Sequence, residues 1–263
     1  EALYTFSKEE PFNHMAMQAA DLATIRDPYV VIAMIVIVLF FIYLFYRLPN
    51  TQAVKVNQSD NSAKEVFVKL IKNKRYVEGV IAQVFYVGAQ IMCWTFIIHY
   101  GMTEVGLTAS EAQNYNIVAM CVFLASRFIC TFLLNWVNAA LLLMIFAIAA
   151  ASLTFAVIFT GGMLGLYCLI AVSGCMSLMF PTIYGISLGG LKADASIASS
   201  GLVMAIVGGA LMPPLQGQMI DAGPLIKSLS AVQTSFLLPL ISFMVIAVFA
   251  YRVIYIHKTS VEK

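Results

Sequence analysis

The stretch VIAQVFYVGAQIMCWTFII, residues 80–98, decides the fold class of this chain. It is almost wholly apolar and has the length of a helix that crosses a bilayer. Four residues break its apolar character, at intervals that place them on one face of an α-helix: Gln83, Tyr86, Gln90 and Trp94. Because an unpaired amide in hydrocarbon is costly, this face is predicted to contact a protein interior or a water-filled cavity. We call these four residues the polar stripe.

The composition of the whole chain agrees with a membrane protein. It is 61% hydrophobic and 11% charged, whereas soluble domains average about 45–50% apolar and about 25% charged residues. The formal net charge of +2 gives no indication of a nucleic-acid partner. No phosphate-binding loop, zinc-ligand spacing or Ser–His–Asp set is present in the sequence. The sequence therefore predicts a protein that is not an enzyme and has neither a cofactor nor a metal site.

Seven segments are long and apolar enough to cross a bilayer of ordinary thickness. They are residues 28–46, 78–100, 114–134, 138–160, 163–188, 196–220 and 232–254. The sequence thus predicts an all-α integral membrane protein with seven transmembrane helices embedded in the lipid bilayer.

Lysine and arginine predict the orientation of these spans. Seven of them lie between Arg47 and Arg75, in the one long hydrophilic connection. Threading the chain onward puts a further group on the same side: Lys192, Arg252, Lys258 and Lys263. The opposite side receives only Lys8, Arg26 and Lys227. The amino terminus is therefore predicted outside and the carboxyl terminus in the cytoplasm.

The hydrophilic connection divides the chain into three parts: residues 1–47, residues 48–76 and residues 77–263. One span precedes the connection and six follow it, which is what remains when a six-plus-six protein loses most of its first half. The chain also starts at Glu1 within an acidic, polar stretch. We therefore expect that the sequence is a piece of a longer protein.

The end of the connection, KEVFVKLIKNKRY (residues 64–76), alternates apolar residues with lysines. One interpretation is a short basic helix that lies on the membrane surface. The other is a solvated charged linker that only sets the topology of the spans. The sequence leaves both interpretations open.

The polar stripe has the chemistry of a sugar-binding wall. Amide groups both donate and accept hydrogen bonds, so Gln83 and Gln90 match sugar hydroxyls without a charge. The aromatic rings of Tyr86 and Trp94 can cover the apolar C–H face of a pyranose. The alternative interpretation is helix–helix packing, in which the glutamines bond to neighbouring helices and the rings fill space.

The third, fifth and sixth spans carry residues expected to act in gating or in helix structure. Arg127 lies in the inner half of the third span. Three roles are open for it: an inside-facing gate or structural cap, a side chain that snorkels to the membrane interface, or a direct contact to the substrate. The fifth and sixth spans contain helix-breaking residues: Pro181, Gly208, Gly209, Pro213 and Pro214. Such residues kink membrane helices, and transporters use broken helices around a central site. Ordinary kinked packing is the alternative.

The acidic residues are informative because of where they lie. All 13 occur in loops or near span ends, and Glu78 at the inner end of the second span comes nearest to the membrane interior. A proton-coupled carrier generally needs an ionisable group within the membrane, commonly a carboxylate. Proton coupling, if the protein has it, is therefore expected in helices that this chain lacks.

Four motifs resemble, in order, helices seven, eight, ten and eleven of the bacterial L-fucose–proton symporters, a branch of the major facilitator superfamily. They are AQVFYVGAQIMCW (82–94), NYNIVAMCVFLASRF (114–128), CMSLMFPTIYGISLGGL (175–191) and IVGGALMPPLQGQMIDA (206–222). The related glucose and galactose carriers have an acid where Gln90 stands. The pair of Gln90 and Trp94 therefore favours L-fucose over those hexoses as the substrate.

The resemblance implies twelve helices in two halves with a sugar cavity between them, and the seven spans here would be helices six to twelve. It implies a bacterial cytoplasmic (inner) membrane protein whose proton-coupling carboxylates lie in the amino-terminal half. It also implies cavity roles for the polar stripe, with Tyr184 and Met204 as further candidates. Glu78, Asn116 and the Leu178–Met179 pair depart from the family pattern, so the specificity could differ.

Two other functional classes compete with a carrier. Seven spans with an outside amino terminus also fit a seven-helix receptor. However, the sequence lacks the Asp-Arg-Tyr and Asn-Pro-x-x-Tyr motifs and a lysine in the last span. A sugar sensor that retains the carrier fold is the third class, and its sequence would show the same stripe.

Overall fold

The structure is a computed structural model that describes residues 26, 29–42, 60–191, 194–224 and 228–256, with residues 60–64 described by their backbone. All regular secondary structure in these ranges is helical. The helices are α1 (Tyr29–Ile42), α2 (Asp60–Lys72), α3 (Lys74–Tyr100), α4 (Ala109–Leu133), α5 (Ala139–Thr160), α6 (Gly162–Met176), α7 (Met179–Leu188), α8 (Ala195–Met204), α9 (Gly208–Asp221), α10 (Ala231–Ser235) and α11 (Leu237–Tyr255). A π-helical turn (Gly101–Val105) extends α3, and a 3-10 turn (Ala205–Val207) joins α8 to α9.

Six of the predicted spans are present as apolar helices of membrane-crossing length. They are Lys74–Val105, Ala109–Leu133, Ala139–Thr160, Gly162–Leu188, Ala195–Asp221 and Ala231–Tyr255. The predicted first span is described only over α1, an apolar helical stretch. The remaining residues of that prediction lie outside the described ranges. The all-α membrane fold predicted from the sequence is confirmed.

Two predicted span boundaries were wrong, because side-chain caps start the helices earlier. The third span begins at Ala109 rather than at residue 114. The Thr108 hydroxyl accepts a hydrogen bond from the Glu111 backbone N–H at 3.3 Å, and the Glu111 carboxylate accepts one from the Thr108 N–H at 2.9 Å. The second span begins at Lys74 rather than at residue 78, with the side chain of Asn73 as its cap.

Helix α3 is the hub of the bundle, since it contacts α2, α4, α6, α7, α8, α9, α10 and α11. Its middle part contributes Tyr86 and Cys93 to one buried apolar cluster, and its end contributes Ile97 and Tyr100 to a second. Gly208 at the start of α9 allows a close approach to α3, because a Cβ there would collide with the backbone carbonyl oxygen of Val84. The polar stripe therefore lies on the most connected helix of the described structure.

The fifth and sixth spans are each interrupted once in the described structure. The fifth span breaks at Ser177–Leu178, between α6 and α7, and Pro181 follows in the first turn of α7. Because proline has no N–H, it cannot complete the helical hydrogen bond to the Ser177 carbonyl. The sixth span changes to a 3-10 turn before Gly208, whereas Pro213 and Pro214 remain inside α9.

Candidate substrate-binding site

The four residues of the polar stripe differ in their exposure. Gln83 and Tyr86 are fully buried, with none of their surface exposed. Gln90 and Trp94, which lie one and two turns further along α3, are half-buried. The stripe therefore passes from a sealed portion to a portion that is partly open at the surface of this bundle.

The amide of Gln83 is unusual because both of its polar atoms lack hydrogen-bond partners within the described part of the chain. Its Oε1 and Nε2 are buried and form no hydrogen bond with any of the described residues. A buried polar atom without a partner costs about 1–3 kcal/mol. An amide in this condition favours a site that a hydroxyl-bearing molecule, a water or another part of the protein completes.

Tyr86 begins a row of aromatic rings that connects α3 to the broken fifth span. Its hydroxyl donates a hydrogen bond to the Met176 carbonyl at 3.0 Å. The Tyr86 and Phe180 rings meet edge to face with 6.1 Å between centroids. Phe180 in turn stacks on Tyr184 at 6.3 Å with an interplanar angle of 11°. In this conformation Tyr86 packs in the core, and its role as a sugar contact stays a prediction.

The open portion of the stripe contains one engaged and one free polar group. The indole N–H of Trp94 donates to the Ser173 hydroxyl at 3.3 Å, and its ring meets Phe123 edge to face at 5.1 Å. These two contacts hold the orientation of the indole. Gln90 makes no hydrogen bond with the described residues and is half-buried. Its amide is therefore available to a ligand beside a fixed aromatic ring.

The other predicted site residues lie at the edges of this arrangement. Tyr184 is half-buried within the aromatic row, whereas Met204 at the end of α8 is 75% exposed. Arg127 is exposed on α4, and Pro181 is exposed at the start of α7. No hydrogen bond or ring contact between described residues joins Met204 or Arg127 to the stripe. Their predicted roles in binding and gating stay predictions.

Two further buried amides were not assigned to a site from the sequence. Asn116 on α4 is only 6% exposed and its Oδ1 has no partner among the described residues. Gln216 on α9 is fully buried; its Nε2 donates to the Ser235 hydroxyl at 3.0 Å, but its Oε1 is unpartnered. Asn116 shares a helix face with the buried residues Ala112 and Ala119. That helical spacing is the signal that could have identified it as an inward-facing residue.

A surface pocket of about 360 Å³ lies at the start of α4 and is lined by Leu107, Glu111, Asn114, Tyr115 and Val118. No residue of the polar stripe lines it. Its polar side chains, those of Glu111, Asn114 and Tyr115, all come from one face of a single helix, so they do not converge from several elements. The stripe is therefore the stronger candidate site.

The Glu78 carboxylate binds the Arg252 guanidinium through two hydrogen bonds. Arg252 Nε donates to Glu78 Oε2 at 3.0 Å, and Arg252 Nη2 donates to Glu78 Oε1 at 2.7 Å. The Glu78 side chain is 23% exposed and the Arg252 side chain 40%. This bidentate pair joins the start of α3 to the end of α11.

The chain is similar in sequence to bacterial sugar transporters, although no family model matches it. It is 50% identical over 250 residues to the L-fucose-proton symporter of Haemophilus influenzae, covering 95% of this chain and 56% of that protein. It is 31% identical to the L-fucose-proton symporter of Escherichia coli, covering 92% of this chain and 55% of that protein. A glucose/galactose transporter of Brucella abortus is 28% identical over 87% of this chain and 53% of its own length.

Solved structures agree with the sequence comparison. The structure of FucP, a major facilitator superfamily transporter in the outward conformation, matches with a TM-score of 0.80 and 30% identity, over 95% of this chain and 60% of that one. The chain spans somewhat more than half the length of the relatives it matches. The chain is therefore a homologue of the L-fucose–proton symporters and has the fold of a major facilitator superfamily transporter over the part that it spans.

Proposed function

We propose that this chain is the carboxyl-terminal part of a secondary active sugar transporter that takes up L-fucose together with protons. Its spans would be helices six to twelve of such a transporter, working by alternating access around a central site. The 50% identity to an L-fucose-proton symporter supports this proposal. A seven-helix receptor is not proposed, because the fold similarity is to a transporter.

The observation that carries the proposal is the condition of the two stripe amides. Among the described residues, Gln83 is buried with both polar atoms unpartnered, and Gln90, two turns away on the same face, is half-buried and makes no hydrogen bond. Two turns of helix separate them by about 10 Å along the axis. A monosaccharide presents several hydroxyls, each of which donates and accepts, so it can use amides that have no other partner. The fixed Trp94 ring beside Gln90 supplies an apolar wall.

L-fucose is proposed over glucose or galactose for two reasons. The similarity to an L-fucose-proton symporter is 50%, whereas that to a glucose/galactose transporter is 28%. Gln90 is also a neutral residue, whereas the related glucose and galactose carriers have an acidic residue at this position. A related hexose symporter is the second candidate, and it is favoured if glucose competes with L-fucose for binding.

We propose the bacterial cytoplasmic membrane as the location, with the amino terminus outside and the carboxyl terminus in the cytoplasm. The basic residues of the connection before Tyr76 support this orientation. Proton coupling is assigned to the part of the transporter that this chain does not span. The one carboxylate at the start of α3, Glu78, is engaged by Arg252.

The broken spans are proposed as the moving elements of the carrier. The breaks between α6 and α7 and between α8 and α9 lie beside α3, since both α7 and α9 contact it. Gly208 and Gly209 set the distance between α9 and α3, while Pro181, Pro213 and Pro214 remove helical hydrogen bonds. Arg127 is proposed to cap the inner side.

The test is Gln90→Ala in the full-length transporter, with Gln218→Ala as the matched control, because Gln218 is exposed on α9. Loss of one neutral hydrogen bond costs about 1 kcal/mol, so affinity for L-fucose should fall about fivefold to tenfold in Gln90→Ala. Isothermal titration of purified protein measures it. An affinity equal to that of the control would refute the cavity role of Gln90. Counterflow of labelled L-fucose in proteoliposomes separates a carrier from a sensor, since a sensor gives none.

A further inference from the structure

Helix α2 has two apolar sides, and only one of them faces protein. Leu70 is 2% exposed and packs in a cluster with Tyr76, Ala198 and Leu202. On the other side, three large apolar residues form a continuous strip at helical spacing: Phe67, Val68 and Ile71, which are 59%, 50% and 56% exposed. We call these three residues the α2 strip.

The side of α2 that carries the strip is fixed by contacts with the bundle. Lys69 Nζ lies 2.6 Å from Asp194 Oδ2, just before α8. The Tyr76 hydroxyl, one turn beyond the end of α2, donates to the Ala198 carbonyl at 2.9 Å. These contacts and the buried Leu70 hold one side of α2 against α8 and turn the strip away from it.

The position of α2 along the chain places the strip next to the start of a helix long and apolar enough to cross a membrane. Only Asn73 separates the end of α2 from Lys74, where the first described membrane-crossing helix begins. Basic groups lie at the same level. Lys72 is exposed and forms no hydrogen bond or ion pair with the described residues, and the buried Nε of Arg75 also has no partner there.

We propose that α2 lies on the membrane surface, with the α2 strip inserted at the boundary between headgroups and acyl chains. Lys72 binds the headgroups of anionic phospholipids, and Arg75 adds a second positive charge nearby. An amphipathic helix with lysines beside its apolar face binds a lipid surface in this way, through buried apolar area and attraction to anionic lipid. The inference uses only the spanning helix and the α2 contacts, so it does not depend on the proposed function.

The experiment places a photoreactive benzoylphenylalanine at position 67 or at position 70 of the full-length protein. Each variant is reconstituted in vesicles of phosphatidylcholine and phosphatidylglycerol, illuminated and analysed by mass spectrometry. We expect phospholipid adducts at position 67, because Phe67 is exposed and the proposal places it in the lipid, and cross-links within the protein at position 70, because Leu70 is buried. The proposal would be overturned if the position-67 variant cross-linked to protein. It would also be overturned if the position-67 variant gave no lipid adduct while the position-70 variant cross-linked as expected.

The charge part of the proposal is tested by the ratio of phosphatidylglycerol to phosphatidylcholine adducts at position 67. Lys72→Gln should lower this ratio by about fivefold, which corresponds to the attraction of about 1 kcal/mol between one lysine and an anionic surface. Lys69→Gln is the matched control, since Lys69 already pairs with Asp194. An equal ratio in the wild-type protein and in Lys72→Gln would refute the assignment of Lys72 to anionic headgroups.

Discussion

Replacement of Gln83 by leucine separates a ligand-binding role from a structural one. Gln83 has no exposed surface, and its Oε1 and Nε2 have no partners among the described residues. Each unpartnered buried atom costs about 1–3 kcal/mol, and leucine removes both atoms while filling a similar volume. After partial relaxation of the native site, we expect Gln83→Leu to raise the free energy of unfolding by about 2 kcal/mol without sugar.

The same substitution should weaken sugar binding. A leucine cannot bond a hydroxyl, and the loss of one or two neutral hydrogen bonds corresponds to a fall in L-fucose affinity of about tenfold. A bound sugar stabilises the native state, and the stabilisation grows with the logarithm of the ratio of the sugar concentration to the dissociation constant. The variant should therefore melt at a higher temperature without sugar and gain less from added L-fucose.

The assay is thermal unfolding of the purified full-length protein in detergent, with and without L-fucose. Gln216→Leu is the control, because it removes the bond between Gln216 Nε2 and the Ser235 hydroxyl and should not stabilise the protein as much. A lower melting temperature for Gln83→Leu together with an unchanged response to L-fucose would refute the reasoning. It would show that a protein group bonds the Gln83 amide.

Three further predictions concern α3 and its contacts. A double-mutant cycle with Glu78→Gln and Arg252→Gln should give a coupling energy of about 1–2 kcal/mol in denaturant unfolding, because the pair is bidentate but partly exposed. Glu78→Gln should also retain sugar-driven alkalinisation in proteoliposomes, and its loss would place proton coupling in this part. Gly208→Ala should reduce the folded yield in size-exclusion chromatography, since its Cβ would meet the Val84 carbonyl oxygen; Gly217→Ala, with only a side-chain atom at 3.9 Å, should not.

Six of the seven spans were predictable from the sequence and are present in the described structure, because a bilayer requires a fixed length of apolar helix. The starts of two of them were not predicted from the apolar pattern, because capping side chains add polar residues to the helix. Thr108 and Glu111 form a capping box whose T-x-x-E pattern is visible in the sequence and marks the start of α4. Attention to that pattern would have given the correct boundary.

The candidate site was less predictable than the fold. The helical period correctly placed the polar stripe on one helix, but periodicity does not specify which neighbours cover each position. The structure buries Tyr86 against Met176 at the end of α6 and leaves Gln90 half-open. The pairing of Glu78 with Arg252 joins residues 174 positions apart, and no local pattern relates them.

The contacts of α3 connect the proposed sugar amides to both broken spans. The Tyr86 and Phe180 rings join α3 to α7, directly after one break, and Gly208 fits against the Val84 carbonyl directly after the other. A sugar that binds Gln90 would therefore act on a helix that packs against both broken spans. Under the proposed function, this part can link sugar binding to helix movement through packing alone. The proton-binding step then belongs to the part of the transporter that this chain does not span.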